Sequence, residues 1–444
     1  MNKTKEFLSE IDLLHKRKVS SSAVRRMKQG MMDYVSVTVA GGKYLGDKLS
    51  KYLSFADLGA YTAIGVEGKY SLKDAVFLNG LNGHALDLDD GTNAGIIHLG
   101  SPIFSLLIPL AEKYEKTVDD VINSAILGYE VSYAMATSIQ PMNKAMGYHA
   151  TGTCGILGAT MAAAYMLDFT EEERQNAFAA ACASASGVLK VLDDGAELKP
   201  YNVAKTALLA LTSLQIAKAG FIGHSEPLSG NRGYLKMMSG DENVTIKPFL
   251  VNGTYAVEKA YIKPYAACRY LHPAIEAAIK IHDELHPDLS NIEKIQVSTY
   301  SLAVSGHDHT DVPCSASAKM SIPYSVAVGI ARGRAGLQEF DNLDDMDVMG
   351  LTKKVKVIAD EKISERFPTE QIAQVVVTMG DGAAREEEVV FPKGEPENPL
   401  NEKEFSEKMT GLFEYAGKEK ATAEGVFEAI SSGTGKIKQV IDLI

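Results

Sequence analysis

From its N-terminus to Tyr261 the chain reads as one helix after another, with apolar residues three and four apart and few alternating stretches. That period commits the region to helices packed on helices, because each apolar stripe must be covered by a neighbour. Between Asp119 and Tyr133, Val121, Ile122, Ala125, Ile126 and Tyr129 fall on one face. Thr170 followed by Glu171, Glu172 and Glu173 predicts a helix start, with Glu173 placed for a capping box and the acids suited to the positive end of the dipole. Small residues crowd positions 152–158 and 179–187. Their GxxGxxG spacing lacks the Lys-Ser/Thr of a phosphate loop and follows no strand, so it predicts close helix packing.

The pattern changes after Tyr261. Residues 292–300 and 374–379 are β-rich, and the second stretch is followed by Gly380-Asp381-Gly382 and then 387–391, which predicts an antiparallel connection. Helices are expected at 272–285, 325–334 and 346–358. Beyond the Pro/Gly-rich turn at 391–399, helical sequence resumes at 401–415 and continues to Ile444. The expected fold class is therefore mainly α: a large all-helical domain formed by residues 1–262 and 396–444, and a smaller inserted α+β lid domain, 263–395. A length of 444 residues supports two domains, since single cores stop growing near about 250–300 residues. No solenoid repeat is present.

Hydrophobic residues make up 45% and charged residues 23%, enough apolar surface to bury such cores. The net charge of −12 and the absence of a Lys/Arg-rich run exclude a nucleic-acid footprint. An anionic ligand would need cations gathered locally against that background. The mixed, charged N-terminus has no apolar signal core, and no apolar run reaches the roughly 20 residues that span a bilayer. The expectation is a cytoplasmic protein with no membrane partner. Cys154, Cys182, Cys268 and Cys314 form no CxxC, so reduced thiols are expected, with Cys268 as a small buried filler.

Five short segments concentrate polar and titratable residues. In Gly83-His84-Ala-Leu-Asp87-Leu-Asp89-Asp90-Gly91-Thr92, a helix running to Gly91 would carry His84, Asp87 and Asp90 on one face. Acids at a helix C-terminus oppose the dipole, which favours a counter-ion or catalytic role over solvated caps. Three acids also suit Mg²⁺, but no nucleotide-phosphate context accompanies them, so no metal is expected. His98 precedes a helix opened by Ser101-Pro102, with Pro at the first helical position. His149 stands at the entry to the small-residue helix, whose free N–H groups favour an anion. Asp193-Asp194-Gly195 leads to Lys199-Pro200, which predicts an extended or turn conformation for the lysine. The fifth segment runs from Tyr261 through Lys263-Pro264, Cys268 and Arg269 to His272-Pro273.

In this order the stretches NGHALDLDDG, HLGSP, GYHATGTCG, KPYNVAK, GNRGYLKMM, IKPYAACRYLHPAI, IPYSVAVGIARG and FPKGEPENPL resemble the MmgE/PrpD family across nearly the whole chain. One departure is His98-Leu99, where the family has His-Pro. The resemblance implies the two-domain arrangement given above, a homodimer, and an active site between the domains built from Asp87, Thr92, His98, His149, Lys199, Lys263 and Tyr324. It also implies an enzyme without a cofactor that acts on a small di- or tricarboxylate.

In that frame His149, His98, Asp87, Lys263 and Tyr324 are the catalytic candidates, and Lys199, Thr92 and Arg269 the substrate-binding ones. The lysines pair with carboxylates and so acidify a neighbouring C–H. His149 shuttles the proton, His98 is the second acid/base, Asp87 orients a cation, and Tyr324 donates from the lid. The expected reaction is dehydration of a citrate or 2-methylcitrate. Decarboxylation of cis-aconitate and epimerisation of an amino-dicarboxylate such as iminodisuccinate are the alternatives. Outside the enzymes, a helical binding or scaffold protein whose polar segments are only caps and turns competes with these.

Overall fold

The computed structural model describes residues 2–192 and 196–444. It divides into two units, one of residues up to Leu192, Leu198–Ile262 and Glu402–Ile444, the other of residues 196–197 and Lys263–Asn401. In the first, the apolar stripes become the helices Ser21–Leu53, Leu72–His84, Gly100–Lys113, Val118–Ile139, Gly155–Met166, Glu171–Ser184 and Lys199–Lys218, joined by Glu402–Tyr415 and Lys420–Ser432 from the far end of the chain. Val121, Ile122, Ala125 and Ile126 are buried as their spacing requires. The Thr170 capping box forms: Thr170 N–H donates to Glu173 Oε2 at 2.8 Å and Glu173 N–H to Thr170 Oγ1 at 3.2 Å.

The small residues set how closely helices approach. A Cβ on Gly158 would lie 2.0 Å from Ser132 Oγ and 2.3 Å from the Gly128 carbonyl oxygen, so helices Val118–Ile139 and Gly155–Met166 can touch only because both positions are glycine. One part of the unit departs from the all-helical expectation. Leu58–Thr62 (β1) and Lys69–Tyr70 (β2) form an antiparallel ribbon. Its strands are too short to display an alternating pattern, and Gly65 and Gly68, both at positive φ, turn the chain between them.

The second unit is built on four strands, β3 (Ile292–Thr299), β4 (Val355–Ala359), β5 (Ala373–Met379) and β6 (Ala384–Val389), in the order β4-β3-β5-β6. The β3/β4 pair is parallel and the other two pairs are antiparallel. Helix His272–Leu285 packs on β5 and β6 and against helix Ile322–Arg332. The helix expected through 346–358 stops at Thr352. Its second half is β4, because Val355 and Val357 pair with Ile295 and Val297 of β3, and β-branched residues fit a pleated edge better than a helix. Among the described residues no helix is long and apolar enough to cross a membrane, and the four cysteines are free thiols.

Candidate active site

Helix Leu72–His84 ends seven residues short of Gly91, so His84, Asp87 and Asp90 do not share a helical face. The chain turns instead at Asp87, whose φ of +52° is left-handed, a conformation that Asp tolerates better than most residues. Asp89 then faces back to the helix end, with His84 Nδ1 at 2.9 Å from each of its carboxylate oxygens. Ser101 Oγ donates to Asp89 Oδ2 at 2.6 Å.

Asp90 has a different task. It accepts from Gly100 N–H at 2.8 Å and from Tyr129 O–H at 2.7 Å, and so anchors the start of helix Gly100–Lys113. A Cβ on Gly100 would lie 2.8 Å from Asp90 Oδ1, so glycine is required there. Burial pushes the Asp90 carboxyl up to about 7 in spite of these two hydrogen bonds. Lys408, from helix Glu402–Tyr415, reaches the same loop, donating to Leu88 O at 3.3 Å and pairing with buried Asp33 at 2.5 Å.

Thr92 and Ile97 close a tight loop, Thr92 N–H donating to Ile97 O at 2.9 Å and Ile97 N–H to Thr92 O at 3.4 Å. The Thr92 Oγ1 is buried without a hydrogen-bond partner among the described residues. His98 follows the loop, fixed by its N–H to Thr151 Oγ1 at 3.1 Å. Its Nδ1 lies 3.3 Å from Asp89 Oδ2, off the hydrogen-bonding line, and its Nε2 lies 3.7 Å from Asp87 Oδ1. Its ring meets that of His84 edge-on, centroids 4.6 Å apart. The next helix begins at Gly100, which makes Pro102 its third residue rather than its first.

His149 does not open a long helix. It precedes a single turn, Ala150–Thr153, separate from Gly155–Met166. Its N–H donates to Gly187 O at 3.0 Å, and its ring centroid is 6.1 Å from that of His84. Lys199 is helical rather than extended, since Pro200 sits in the first turn of Lys199–Lys218, where its missing N–H has no cost. Lys199 Nζ pairs with Asp87 Oδ2 at 2.7 Å. Three residues on, Asn202 Nδ2 lies 3.4 Å from His149 Nδ1 and 3.4 Å from Val188 O. Asp193, Asp194 and Gly195, from the same sequence segment, lie outside the described residues.

The first unit thus brings together Asp87, His98, His149 and Lys199, with Thr92 in the loop before His98; it keeps His84 in the group, as the sequence suggested, and adds Asp89 and Asn202, which sequence reasoning missed. Asp89 was overlooked because a helix continued to Gly91 turns it away from the His84 face. Asn202 carried a usable signal, standing three residues after Lys199 and so on the same helical face. Burial alone would raise the Asp89 carboxyl, but His84 and His98 reverse this and hold it well below the usual range. Burial pushes His84 down to about 4 despite Asp89, and pushes His149 well below its ordinary value with help from His84 and Lys199. Neutral imidazoles next to a fixed carboxylate are suited to taking and giving protons.

Ligand atoms of His84, Asp87, Asp89 and His98 lie within 4.8 Å of one another, a donor set of the kind zinc accepts. The Lys199 ammonium already places positive charge on Asp87, and a dication would have to displace it.

Lys263, Arg269 and Tyr324 belong to the second unit. Lys263 is buried. Arg269 Nε donates to Glu395 Oε1 at 3.0 Å, its Nη2 pairs with the same oxygen, and its Nη1 donates to His272 Nδ1 at 2.9 Å. The Tyr324 hydroxyl donates to Glu339 O at 3.0 Å, with Asn342 O at 3.3 Å.

The family model for the MmgE/PrpD N-terminal domain matches residues 8–247, and that for the C-terminal domain matches residues 265–431. A cis-aconitate decarboxylase of Aspergillus terreus is 26% identical over 412 residues, covering 87% of this chain and 84% of that protein. The cis-aconitate decarboxylase-like protein oryM of Aspergillus oryzae is 24% identical over 442 residues, covering 93% and 90%. Matched by both domain models along most of its length, the chain belongs to the MmgE/PrpD family.

Proposed function

We propose that the protein is a lyase that moves protons on a small di- or tricarboxylate, using its own side chains for the chemistry. The observation that carries this reading is the gathering of His84, His98 and His149 beside the Asp87–Lys199 pair in a buried part of one unit. In an acidic protein, Lys199 supplies the local cation that a substrate carboxylate needs. Stabilising the charge that develops on that carboxylate makes the adjacent carbon easier to deprotonate, or easier to leave with the electrons of a lost CO₂.

The names of the two relatives favour loss of CO₂, so an unsaturated tricarboxylate resembling cis-aconitate is the first substrate to test. Dehydration of 2-methylcitrate or citrate, which the family motifs alone put first, is the second reading. Purified protein should be incubated separately with cis-aconitate, 2-methylcitrate, citrate and iminodisuccinate and followed by proton NMR. Consumption of one acid that disappears in His149→Ala supports the reading. Inertness toward all four defeats it. Turnover should also survive exhaustive chelation. Activity lost to a chelator and restored by Zn²⁺ or Mg²⁺ would instead assign His84, Asp87, Asp89 and His98 to a metal.

A further inference from the structure

The imidazoles do not stand in equivalent settings. His84 Nδ1 faces both oxygens of Asp89, and His98 Nδ1 lies 3.3 Å from the same carboxylate, off the hydrogen-bonding line. An ionised carboxylate only accepts, so a ring nitrogen meeting it must carry the proton. This leaves the lone pair on Nε2 in His84, and the closer approach of a carboxylate to Nδ1 than to Nε2 in His98, 3.3 Å from Asp89 against 3.7 Å from Asp87, favours the same tautomer there. The His84 Nε2 is buried and has no hydrogen-bond partner among the described residues. His98 Nε2 is the nitrogen on the side of Asp87 and, through it, of Lys199. His149 is arranged the other way round. Its Nδ1 faces the Asn202 amide nitrogen, which also points at the Val188 carbonyl and is therefore a donor. A ring accepting at Nδ1 carries its proton on Nε2.

We propose that Asp89 and Asn202 are positioning residues that impose opposite tautomers on the imidazoles, making His98 the base and His149 the acid. The tautomers follow from the contacts alone, whereas the roles of base and acid rest on the function proposed above. In a dehydration, the C–H bond breaks, its electron pair enters the carboxylate-stabilised carbanion, and the proton goes to His98 Nε2. The C–O bond then breaks as the pair forms the double bond, and the departing hydroxide takes the Nε2 proton of His149 to leave as water. In a decarboxylation, the C–C bond breaks, CO₂ leaves, and the His149 Nε2 proton fills the carbanion. Dehydration uses the bare and the protonated Nε2 together, and decarboxylation uses the protonated one.

The test is ¹⁵N NMR of the imidazole nitrogens in full-length protein labelled at histidine, assigned with single His→Gln variants. Nδ1 should carry a proton in His84 and His98 and be bare in His149. A bare Nδ1 in His84 or His98, or a protonated one in His149, overturns the proposal whether or not any acid is turned over. Two variants extend it. Asn202→Asp offers His149 an acceptor and should move its proton to Nδ1, lowering kcat about 100-fold or more with KM changed less than about threefold. Asp89→Asn should lower kcat in the same way and alter the acid limb of the pH–rate profile. If Asn202→Asp retained kcat with its tautomer reversed, the acid role of His149 would be refuted while the tautomer assignment stood. If Asp89→Asn failed to fold, Asn202→Asp and the wild-type spectrum would still decide the matter.

Discussion

His272 and His84 are both sealed from solvent, yet their ring nitrogens are treated differently. In the second unit, His272 accepts from Arg269 at Nδ1 and meets Ala267 O at Nε2 at 3.1 Å, while Arg269 is held by Glu395 and by the Lys393 carbonyl. In the first unit, His84 spends one nitrogen on Asp89 while the other, like the Thr92 hydroxyl nearby in sequence, has no hydrogen-bond partner among the described residues. Leaving a buried polar atom unmatched costs about 1–3 kcal/mol. A group satisfied at both ends is built to hold a fold together. One left unsatisfied inside a well-packed unit calls for an explanation, and beside a cluster of titratable side chains a ligand is one.

The sharpest way to break this contrast is to compare His149→Ala with Arg269→Ala. His149→Ala should cut turnover about 10²- to 10⁴-fold and move the melting temperature little. Arg269→Ala strands Glu395, and its unfolding free energy in denaturant should fall by about 3–5 kcal/mol. Replacing Arg269 by Met and Glu395 by Leu together should recover most of that loss, because no unpaired charge remains. A stable Arg269→Ala protein with lost turnover would instead support the substrate-binding role expected of Arg269 from the sequence.

The pH dependence of stability separates two members of the first unit. Asp90, raised from 3.8 to about 7, keeps a proton in the folded state that the unfolded chain has lost, so its contribution falls as pH rises from about 4 to 7. His84, lowered from 6.5 to about 4, stays neutral where the unfolded chain takes a proton, so its contribution rises over about the same range. The two slopes oppose each other. Asp90→Asn removes the first, and should be more stable than wild type by up to about 4 kcal/mol near pH 8 while losing stability more steeply on acidification. Urea unfolding at both ends of the range measures this, and parallel wild-type and Asp90→Asn curves would mean that Asp90 is ionised throughout. The smallest expected effect is that of Tyr324→Phe, about 1 kcal/mol for the hydrogen bond to Glu339 O. A much larger loss of turnover than of stability would give that hydroxyl a part in the reaction.

The helical character of the first unit and the strands of the second were legible because burial imposes a period on the sequence, and 272–285 and 292–299 fall where that period places them. Less legible was whatever depends on a partner distant in sequence. Nothing within residues 346–358 announces that Val355 pairs with Ile295, and β1 and β2 are too short to leave a pattern. Of the site, His98, His149, Lys199 and Asp87 were found from their type and setting. Asp89 was lost to one left-handed residue, Asp87, which redirects everything after it.

Lys408 gives the loop around Asp87 a further property. It ties Leu88 and Asp33 to a helix that leaves the ribosome some 375 residues after Asp33. Contacts of such sequence separation are among the slowest to form, because the loop they close carries the largest entropy cost. A nascent chain can therefore assemble most of its helices before Lys408 is available to hold Asp33 and the carbonyl of Leu88, one residue from Asp87.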